Sequence, residues 1–444
     1  MSLLHETLET LLLLLQSPFT HGFWLFVFKF IPYVVFFELP IYTLVFLGIL
    51  RHVIRNTFEV PEDRPYAPRV SCIITCYSEG KDVQLTIRSL AEQLYEGFLE
   101  IICVVDGAAR NIETHEAARR MESFVNARGR RLLRVLPKWQ RGGRVSTLNA
   151  GLSVARGEVV MALDGDTSFD NTMVANAVRH FSHEDVVGVA GCLRVRNVTA
   201  SLWSRLQAVE YLLSIHASKV GLSEFNIVNN ISGAFGVFRR SFISLMGGWD
   251  SGTAEDLDMT MRIKNYFGRH PRLRIRFEPT ATGHTDVPVT LKDFLRQRLR
   301  WDGDLFYLYI RKHFHSLRPG LFGWRNWLMM LWTGLFFQLV MPFVILIYTV
   351  FLLAFFPLPV TLAVLALVYL FYLAVTLVFY GVFIVFLSER PQQDLRLAPL
   401  LPLFPLFTFF SRLWGGVAML GEMIVKSHLD TSMAPWYVLR KTKF

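Results

Sequence analysis

Long apolar stretches near both ends of this 444-residue chain constrain its fold more than any other feature. They extend from Phe23 to Leu50, from Trp327 to Phe356 and from Leu358 to Leu387, and each is long enough to span a bilayer. Inside lipid the backbone polar groups must bond one another, so each stretch is expected to form a helix. We therefore expect membrane helices at both ends of the chain and a water-soluble domain between them.

Two further apolar segments are harder to assign. Leu3 to Gln16 is leucine-rich, but it is too short to span and includes acidic side chains, so an interfacial helix is predicted. Leu397 to Val425 contains prolines and Arg412, and it forms either a third C-terminal crossing or an interfacial piece followed by a re-entrant helix. The basic tail that begins at Lys426 favours the re-entrant alternative, because positive charges prefer the cytoplasm.

The distribution of charge predicts which side of the membrane the middle of the chain faces. The net charge is +10, and Arg51 and Arg55 directly follow the first apolar stretch. Basic residues flank the cytoplasmic ends of membrane helices, so we expect a multi-pass protein of the cell membrane, such as a bacterial inner membrane, with a cytoplasmic soluble domain. The basic excess also suits a nucleotide or polyanion, but no nucleic-acid-binding motif accompanies it, so no nucleic-acid partner is expected.

The middle of the chain alternates short apolar strands with helices, including one helix predicted over 112–128. This alternation predicts an α/β domain with a doubly wound sheet of parallel strands, and functional residues at the carboxyl ends of those strands. Strands are predicted at Val70–Ile74, Glu100–Val105, Leu132–Leu136, Val159–Leu163, Val186–Ala190 and Ile231–Phe238. The predicted parts are N-terminal interfacial and membrane helices at 1–55, the α/β domain at 56–288, amphipathic interface helices at 289–325, and C-terminal membrane or re-entrant helices with the tail at 326–444.

Carboxylates follow two of the predicted strands. Asp164 and Asp166 end one strand, and Asp106 ends another. When the bond between a sugar and a diphosphate breaks, the negative charge of the diphosphate must be neutralised. Mg²⁺ or Mn²⁺ held by carboxylates can neutralise that charge. Asp164 and Asp166 are therefore the candidate metal ligands. The alternative is an ordinary Asp-Gly turn, which the second acidic strand end makes less favoured.

Other side chains near the strand ends are candidate nucleotide contacts. Tyr77 and Glu79 follow the first strand, where the ring can lie against a nucleobase and the polar group can read its edge. Arg144 follows two glycines at the start of a helix, a position that binds phosphates in many proteins. Without the other features, Tyr77 and Glu79 indicate a plain turn and Arg144 a solvated surface residue.

An acidic pair, Glu255-Asp256, follows a glycine-rich turn and provides a candidate general base. Asp256 is the predicted base for an incoming hydroxyl, and Glu255 and Asp258 are the competitors. Adjacent carboxylates point in different directions, so only one is expected to face the acceptor. The alternative is that these acids only stabilise the start of a helix.

A basic amphipathic helix is predicted from Leu291 to Phe314, on the inner surface of the membrane. Gln297, Arg300 and Trp301 lie at positions i, i+3 and i+4, and therefore share one helix face. The guanidinium can bind phosphate oxygens, and the indole offers a flat apolar platform for a sugar. Base, phosphate clamp and sugar platform together indicate glycosyl transfer from a nucleotide-activated sugar.

Further candidates for the acceptor site come from the middle of the α/β domain. Arg194 and Arg196 lie after a predicted strand, and they either line the acceptor site or face solvent along a basic strand edge. Gly233 lies in a glycine-interrupted strand where the backbone can approach a ligand closely. Phe235 beside it is a candidate acceptor contact, although an aromatic in such a strand is more often part of the core.

Four sequence motifs occur in a specific order: Asp106, Asp164-Gly165-Asp166, Glu255-Asp256 and Gln297-x-x-Arg300-Trp301. Together they resemble the processive, membrane-embedded family 2 glycosyltransferases, such as bacterial cellulose, hyaluronan, chitin and poly-N-acetylglucosamine synthases. The resemblance covers about residues 70–305 by motif, and the flanking membrane segments by layout. It implies an α/β catalytic domain of the GT-A type, with a doubly wound mixed sheet, joined to transmembrane and interfacial helices.

The resemblance also implies roles for the motif residues. In such enzymes a nucleotide-binding loop, a metal site, a general base and an acceptor platform occupy the corresponding positions. The implied nucleotide contacts are Tyr77, Glu79, Asp106, Gln297 and Arg300, the implied metal ligand is Asp166, the implied base is Asp256, and Trp301 is implied to pack under the acceptor sugar.

The function implied by the resemblance is a processive, inverting β-glycosyltransferase that polymerises a UDP-sugar and passes the polysaccharide across the membrane. The compact length is most similar to poly-N-acetylglucosamine synthases, which use UDP-N-acetylglucosamine. The alternatives are a β-glucan or hyaluronan synthase and a non-processive lipid glycosyltransferase. A transporter with a soluble regulatory domain belongs to a different class. The expected partners are the UDP-sugar, the growing polysaccharide and the lipid bilayer, with an accessory membrane or export subunit as a further possibility.

Overall fold

The computed structural model describes residues 3–20, 34–58, 66–250 and 254–426, and four single residues between the first two ranges. Most of the predicted basic tail, from residue 427 onward, and the turn 251–253 before the acidic pair lie outside the described residues. The strands are β1 Val70–Cys76, β2 Leu99–Asp106, β3 Arg131–Lys138, β4 Val159–Asp164, β5 Ser168–Phe169, β6 Val186–Val195, β7 Phe235–Arg239 and β8 Arg274–Thr285.

The helices fall into two groups, those of the α/β part and those outside it. The second group includes the long apolar helices, the amphipathic helix and short connecting helices. The first comprises α3 Val83–Ala91, α4 Ile112–Arg119, α5 Glu122–Asn126, α6 Gly143–Val154, α7 Met173–Val178, α8 Leu202–Glu210, α9 Ser218–Glu224, α10 Arg240–Leu245 and α11 Glu255–Lys264. The others are α1 Leu3–Thr20, α2 Leu39–Phe58, α12 Leu291–Phe306, α13 Pro319–Phe322, α14 Trp324–Met329, α15 Met341–Phe355, α16 Leu358–Phe386, α17 Pro391–Asp394 and α18 Phe404–Val425.

The eight strands form one mixed sheet in the order β3-β2-β1-β4-β7-β6-β8-β5. The first four are parallel, as predicted, and the apolar side chains of β1, β2 and β4 are buried on both faces, whereas those of the edge strand β3 are mostly half-buried. Strand β7 runs antiparallel to both β4 and β6, which makes the sheet mixed. This arrangement confirms the α/β fold class and places the ends of β1, β2 and β4 along one edge.

Several predicted boundaries differ from those observed. The glycine-interrupted strand predicted over 231–238 begins only at Phe235, because the residues before it form the loop that holds Asp256. The helix predicted over 112–128 is divided into α4 and α5. The alternation analysis missed β5 and β8, since β5 has two residues and β8 mixes charged, apolar and proline residues.

Within the described residues, four helices are long and apolar enough to cross a membrane: Val34–Phe58, Trp324–Phe355, Leu358–Phe386 and Pro391–Ile424. The second and third agree with the predicted stretches. The described part of the first continues past the predicted end at Leu50, so Arg51 and Arg55 belong to its last turns rather than following it. The last includes α18, a continuous helix of 22 residues, so its length suits the crossing that the sequence analysis favoured less.

Helix α2 is fixed to the α/β part by a close crossing with α9. Gly48 on α2 lies directly against the backbone of Gly221, where any larger side chain would overlap. One turn further along, His52 and Arg55 bind the buried carboxylate of Glu224 at the end of α9. Helix α12 packs along α18, and α1 packs against α16. The α/β part and the apolar helices are therefore in direct contact.

Candidate active site

Asp106, at the end of β2, shapes the turn that starts α6. Its carboxylate accepts hydrogen bonds from the backbone N–H groups of Gly142 and Gly143, each at 2.8 Å, and from Lys138 Nζ at 2.8 Å. Gly143 has a positive φ of 77°, which a residue with a side chain rarely adopts. Both carboxylate oxygens thus hold this turn in place, and a direct contact between Asp106 and a nucleotide stays a prediction.

Tyr77 lies exposed at the end of β1, beside an arginine that the sequence analysis did not select. The guanidinium of Arg141 lies over the Tyr77 ring at 4.3 Å from its centroid. An aromatic ring and a guanidinium both offer flat faces on which a planar base can stack. Tyr77 is 45% exposed, so this part of the site is accessible to a ligand.

Arg144 connects the strand ends to the acidic pair. Its guanidinium forms ion pairs with Asp164 and Glu255, and it donates to Thr75 Oγ1 at 3.0 Å and to the Gly233 carbonyl at 2.7 Å. Burial disfavours the charged guanidinium, but the two carboxylates outweigh this effect and raise the pKa of Arg144. The residue therefore organises the carboxylates in this structure, whereas the sequence analysis assigned it to a phosphate.

The carboxylates of Glu79 and Asp166, near the strand ends, suit a divalent cation. Burial raises the pKa of Glu79 to about 7, with Asp166 and Asp164 adding to the effect, and burial together with Asp164 raises the pKa of Asp166. Glu79 Oε2 is buried and has no hydrogen-bond partner within the described ranges. Mg²⁺ and Mn²⁺ prefer such oxygen ligands.

This carboxylate group does not form a complete metal site by itself. Among the residues that the structure describes, no cluster of three or more His, Cys, Asp or Glu side chains is positioned to hold a metal. Mg²⁺ is commonly held by one or two carboxylates together with substrate phosphates. The donor set therefore fits a cation that binds together with a diphosphate.

Asp256 lies in the first turn of α11 and is oriented by three donors. Asn230 Nδ2 at 3.0 Å and the Gly233 N–H at 3.1 Å bind its Oδ2, and the Leu257 N–H binds its Oδ1 at 2.7 Å. The side chain is half-buried, so it is accessible to a ligand. Asn230 was not selected in the sequence analysis, because nothing local distinguishes it from other loop asparagines.

The two competing carboxylates are already engaged. Glu255 is buried against Arg144, and burial raises its pKa. Asp258 is fully buried and binds Lys312 Nζ at 2.8 Å and His313 Nε2 at 2.7 Å. Neither side chain is positioned to meet an incoming hydroxyl, which leaves the half-buried carboxylate between them as the accessible one.

The amphipathic helix α12 carries the Gln-x-x-Arg-Trp sequence. Trp301 is 37% exposed, and the guanidinium of Arg298 lies 5.1 Å from its ring centroid. Arg298 is itself paired with Glu210 on α8. Gln297 Oε1 is buried, and the described residues provide it with no hydrogen-bond partner. Arg300 is exposed on the same helix, so a phosphate contact by this side chain stays a prediction.

Two predicted acceptor contacts lie elsewhere. Arg194 is half-buried and forms an ion pair with Asp394, in the segment after α16, so it attaches the sheet to the apolar helices. Phe235 is fully buried and packs edge-to-face on Phe169 with ring centroids 5.3 Å apart. Each side chain has a structural partner distant in sequence, which does not favour either assignment to the acceptor site. Gly233, in contrast, lies directly against Asp256.

A cavity of about 380 Å³ lies between the α/β part and the apolar helices, and charged and polar side chains share its wall with apolar ones. Its wall includes Arg298 and Asp302, which flank Trp301 in sequence on α12. It also includes Asn229, the neighbour of the asparagine that binds Asp256. Hydroxyl and amide side chains from several helices complete much of the lining, among them Ser214, Ser218, Thr333, Gln338, Thr408 and Ser411.

The fold and this site define a glycosyltransferase. The sequence pattern of glycosyl transferase family group 2 matches residues 159–387, just over half of the chain, and that of glycosyl transferase family 2 matches residues 71–246. The chain therefore belongs to glycosyl transferase family 2, which confirms the resemblance drawn from its motifs.

Relatives with known names support the same family. The poly-beta-1,6-N-acetyl-D-glucosamine synthases of Staphylococcus aureus strain COL and of Staphylococcus epidermidis are each 28% identical, over 57% and 52% of this chain. The matched region spans only 58% and 53% of those relatives. A solved structure of the mannosyltransferase PcManGT from Pyrobaculum calidifontis, in complex with GDP-Man and Mn²⁺, superposes with a TM-score of 0.52 at 18% identity. The superposition covers 87% of this chain and 98% of the mannosyltransferase chain, and it shows that the two proteins share a fold.

Proposed function

We propose that the protein polymerises a sugar from a UDP-sugar into a polysaccharide and passes the growing chain into the membrane through the polar cavity. The observation that carries this proposal is the position of the cavity. Its wall includes Asn229, the chain neighbour of the asparagine that binds Asp256, and Arg298 and Asp302, which flank Trp301 in sequence on α12. From there it extends between helices long enough to cross a bilayer.

The loop before β7 links the cavity to the chemistry. Asn229 lines the cavity, while Asn230 and Gly233 bind Oδ2 of Asp256. An acceptor sugar in the mouth of the cavity therefore lies close to the base, and Trp301 provides a flat surface under it. Sugars commonly stack on aromatic rings through their apolar C–H faces, which favours this arrangement for a neutral acceptor.

The proposed reaction is a single displacement. Asp256 accepts the proton of an acceptor hydroxyl, and the oxygen forms a bond to the anomeric carbon of the donor sugar. The bond between that carbon and the diphosphate breaks, and UDP leaves with the electron pair. Attack from the opposite face inverts the anomeric carbon, so an α-linked donor gives a β-linkage.

The donor is proposed to bind along the strand ends. The nucleobase stacks on the exposed side of the Tyr77–Arg141 pair, and the diphosphate lies near Gln297 and Arg300 of α12. Asp166, with Asp164 or Glu79, would hold Mg²⁺ or Mn²⁺, which neutralises charge on the diphosphate when bound. The carboxylates themselves orient this end of the donor, and the cation specificity is part of the proposal.

The sugar is proposed to be N-acetylglucosamine. The support is the name of the staphylococcal relatives, which match in the region that contains the catalytic motifs. The catalytic part is proposed to face the cytoplasm of a cell with the enzyme in its plasma membrane, since Arg51, His52 and Arg55 lie at the end of α2 that enters the α/β part.

Product length and UDP release test this proposal together. Purified full-length protein in lipid is incubated with UDP-N-acetylglucosamine, UDP-glucose or UDP-glucuronic acid, each with Mg²⁺ or Mn²⁺. We expect UDP release and long products from the first donor. Asp256→Asn, which keeps the size and loses the base, should lower the release rate by at least about a hundredfold.

Each contrary result identifies a different error. Products of one added sugar on a lipid would indicate a non-processive lipid glycosyltransferase and refute polymerisation. Long products from a different donor would refute only the assigned sugar. Full activity in Asp256→Asn would refute the assigned base.

A further inference from the structure

The cavity contains an ion pair between two helices that are long and apolar enough to cross a membrane. Arg412, near the middle of α18, donates to Glu38 Oε1 at 2.8 Å. Glu38 ends the π-helical turn before α2 and is 1% exposed. Both side chains line the polar cavity described above. Arg412 was recognisable in the sequence as a charge within an apolar segment, but its partner was not.

The pair is incompletely satisfied. Glu38 Oε2 is buried and accepts no hydrogen bond from any residue that the structure describes. A buried carboxylate oxygen without a partner is costly, and ionisable residues within membrane helices are rare unless they serve a function. The Glu38 side chain is among those that line the cavity, together with side chains that carry hydroxyl groups.

The backbone around the cavity is also unusual. Three π-helical segments contribute to its wall: Val34–Glu38, Tyr211–Ala217 and Met330–Val340. Such segments are rare and occur frequently at functional sites, because they turn extra side chains and carbonyl groups toward one side. Glu38, Ser214 and the Thr333–Gln338 region reach the cavity from these segments.

The charges of the cavity suit an uncharged or positively charged guest. Its charged lining residues within the described ranges are three acids and two bases: Glu38, Glu210, Asp302, Arg298 and Arg412. Each arginine already pairs with one acid. Asp302 is the acid that neither arginine pairs with. A polymer that carries carboxylates would meet this like charge and would gain little binding energy in the cavity. A neutral polymer could instead offer hydroxyl donors to carboxylates and carbonyl or hydroxyl oxygens to guanidinium groups.

We propose that Glu38 and Arg412 form a binding subsite for one neutral sugar unit of the product, within the membrane part of the cavity. Glu38 Oε2 accepts a hydrogen bond from a sugar hydroxyl, and Arg412 donates to a sugar oxygen or to an acetamido carbonyl. This inference rests on the proposed function. By holding a unit that has already been transferred, the subsite keeps the polymer bound while the next donor enters.

The first test compares product length with turnover. Full-length Glu38→Gln is reconstituted in lipid with UDP-N-acetylglucosamine and Mn²⁺, and UDP release and product length are measured. A hydrogen bond to a charged group accounts for roughly a tenfold change in dwell time, so products should be about tenfold shorter while UDP release falls much less. The control is Glu9→Gln, an exposed acid on α1 that lies outside the cavity lining.

A second test does not disturb the pair. Ser411 lines the cavity next to Arg412, and the four native cysteines are free and buried. A Ser411→Cys variant therefore offers one accessible thiol to a small charged thiol reagent. We expect the labelling rate to fall about tenfold once product has formed, compared with the same variant without donor, because a bound sugar blocks access.

The outcomes separate this inference from the proposed function. A wild-type protein that releases no UDP from any UDP-sugar refutes the proposed function and the subsite with it. A wild-type protein that polymerises, together with Glu38→Gln products of wild-type length, refutes the subsite alone. Equal labelling of Ser411→Cys with and without product also refutes it, whether or not Glu38→Gln folds.

Discussion

Removal of the Asn230 side chain tests the geometry of the proposed base. Its amide donates to Asp256 Oδ2 at 3.0 Å, and its own Oδ1 accepts from Thr260 Oγ1 at 3.2 Å. Asn230→Ala deletes one of three hydrogen bonds that orient the carboxylate. A hydrogen bond to a charged group contributes about 1.5–3 kcal/mol, so kcat should fall roughly 10- to 150-fold.

The assay is the initial rate of UDP release by purified protein in lipid at several donor concentrations. The effect should fall mainly on kcat, because Asn230 binds the base and not the nucleotide platform around Tyr77. Asn230→Asp places a second carboxylate against Asp256, and like charges should shift the pH–rate profile toward higher pH. The matched control is Asn176→Ala, whose amide bonds the Thr280 carbonyl at 3.0 Å on another side of the sheet.

Two results would contradict this reasoning. If Asn230→Ala keeps kcat within about twofold of wild type, the hydrogen bond does not orient the base. If Asn230→Ala and Asn176→Ala lower kcat equally and also lower the melting temperature equally, the effect is one of stability. In either case Asp256 would be held by Gly233 and Leu257 alone.

Three further predictions concern stability and metal binding. Burial opposes ionisation of Glu278, but His180 and Arg179 outweigh this effect and lower the pKa of Glu278 to about 2. The ionised side chain therefore stabilises the folded protein by about 3 kcal/mol above pH 4.5. This stabilisation is lost as the pH falls toward 2. Thermal melting in detergent should therefore show that Glu278→Gln destabilises at pH 7 and much less near pH 3; an equal effect at both would contradict this assignment. Phe235→Leu should lower the melting temperature, with a loss of about 1–2 kcal/mol in stability, and leave product length unchanged, whereas shorter products would support Phe235 as an acceptor contact. Asp166→Asn should raise the Mn²⁺ concentration for half-maximal UDP release by about tenfold or more, and unchanged metal dependence would exclude Asp166 as a ligand.

Much of the sheet edge was predictable from local sequence. Short apolar runs that end in Asp106 and Asp164 predict parallel strands, and the carboxyl ends of adjacent parallel strands meet at one edge. The Glu255-Asp256 pair and the sequence that carries Trp301 were recognisable by their order along the chain. These features depend on residues within a few positions of one another, which periodicity and spacing report directly.

The partners of individual side chains were not predictable in the same way. Arg144 was expected to bind phosphate, but the fold brings Asp164 and Glu255 to it. Arg194 was expected at the acceptor site, but Asp394, 200 residues further along, neutralises it. A guanidinium binds whichever carboxylate the packing presents, and sequence spacing does not report that choice.

The sequence by itself determined that apolar helices enclose an α/β domain, and that acids follow particular strands, because these patterns follow from local periodicity. Only the tertiary structure decided which acid stays accessible, since Glu255 and Asp258 acquire partners and Asp256 acquires orienting donors instead. It also decided that Glu38 meets Arg412, 374 positions away, inside a polar cavity. Cavities form where several helices pack incompletely against one another, and that packing depends on contacts between segments far apart in the chain.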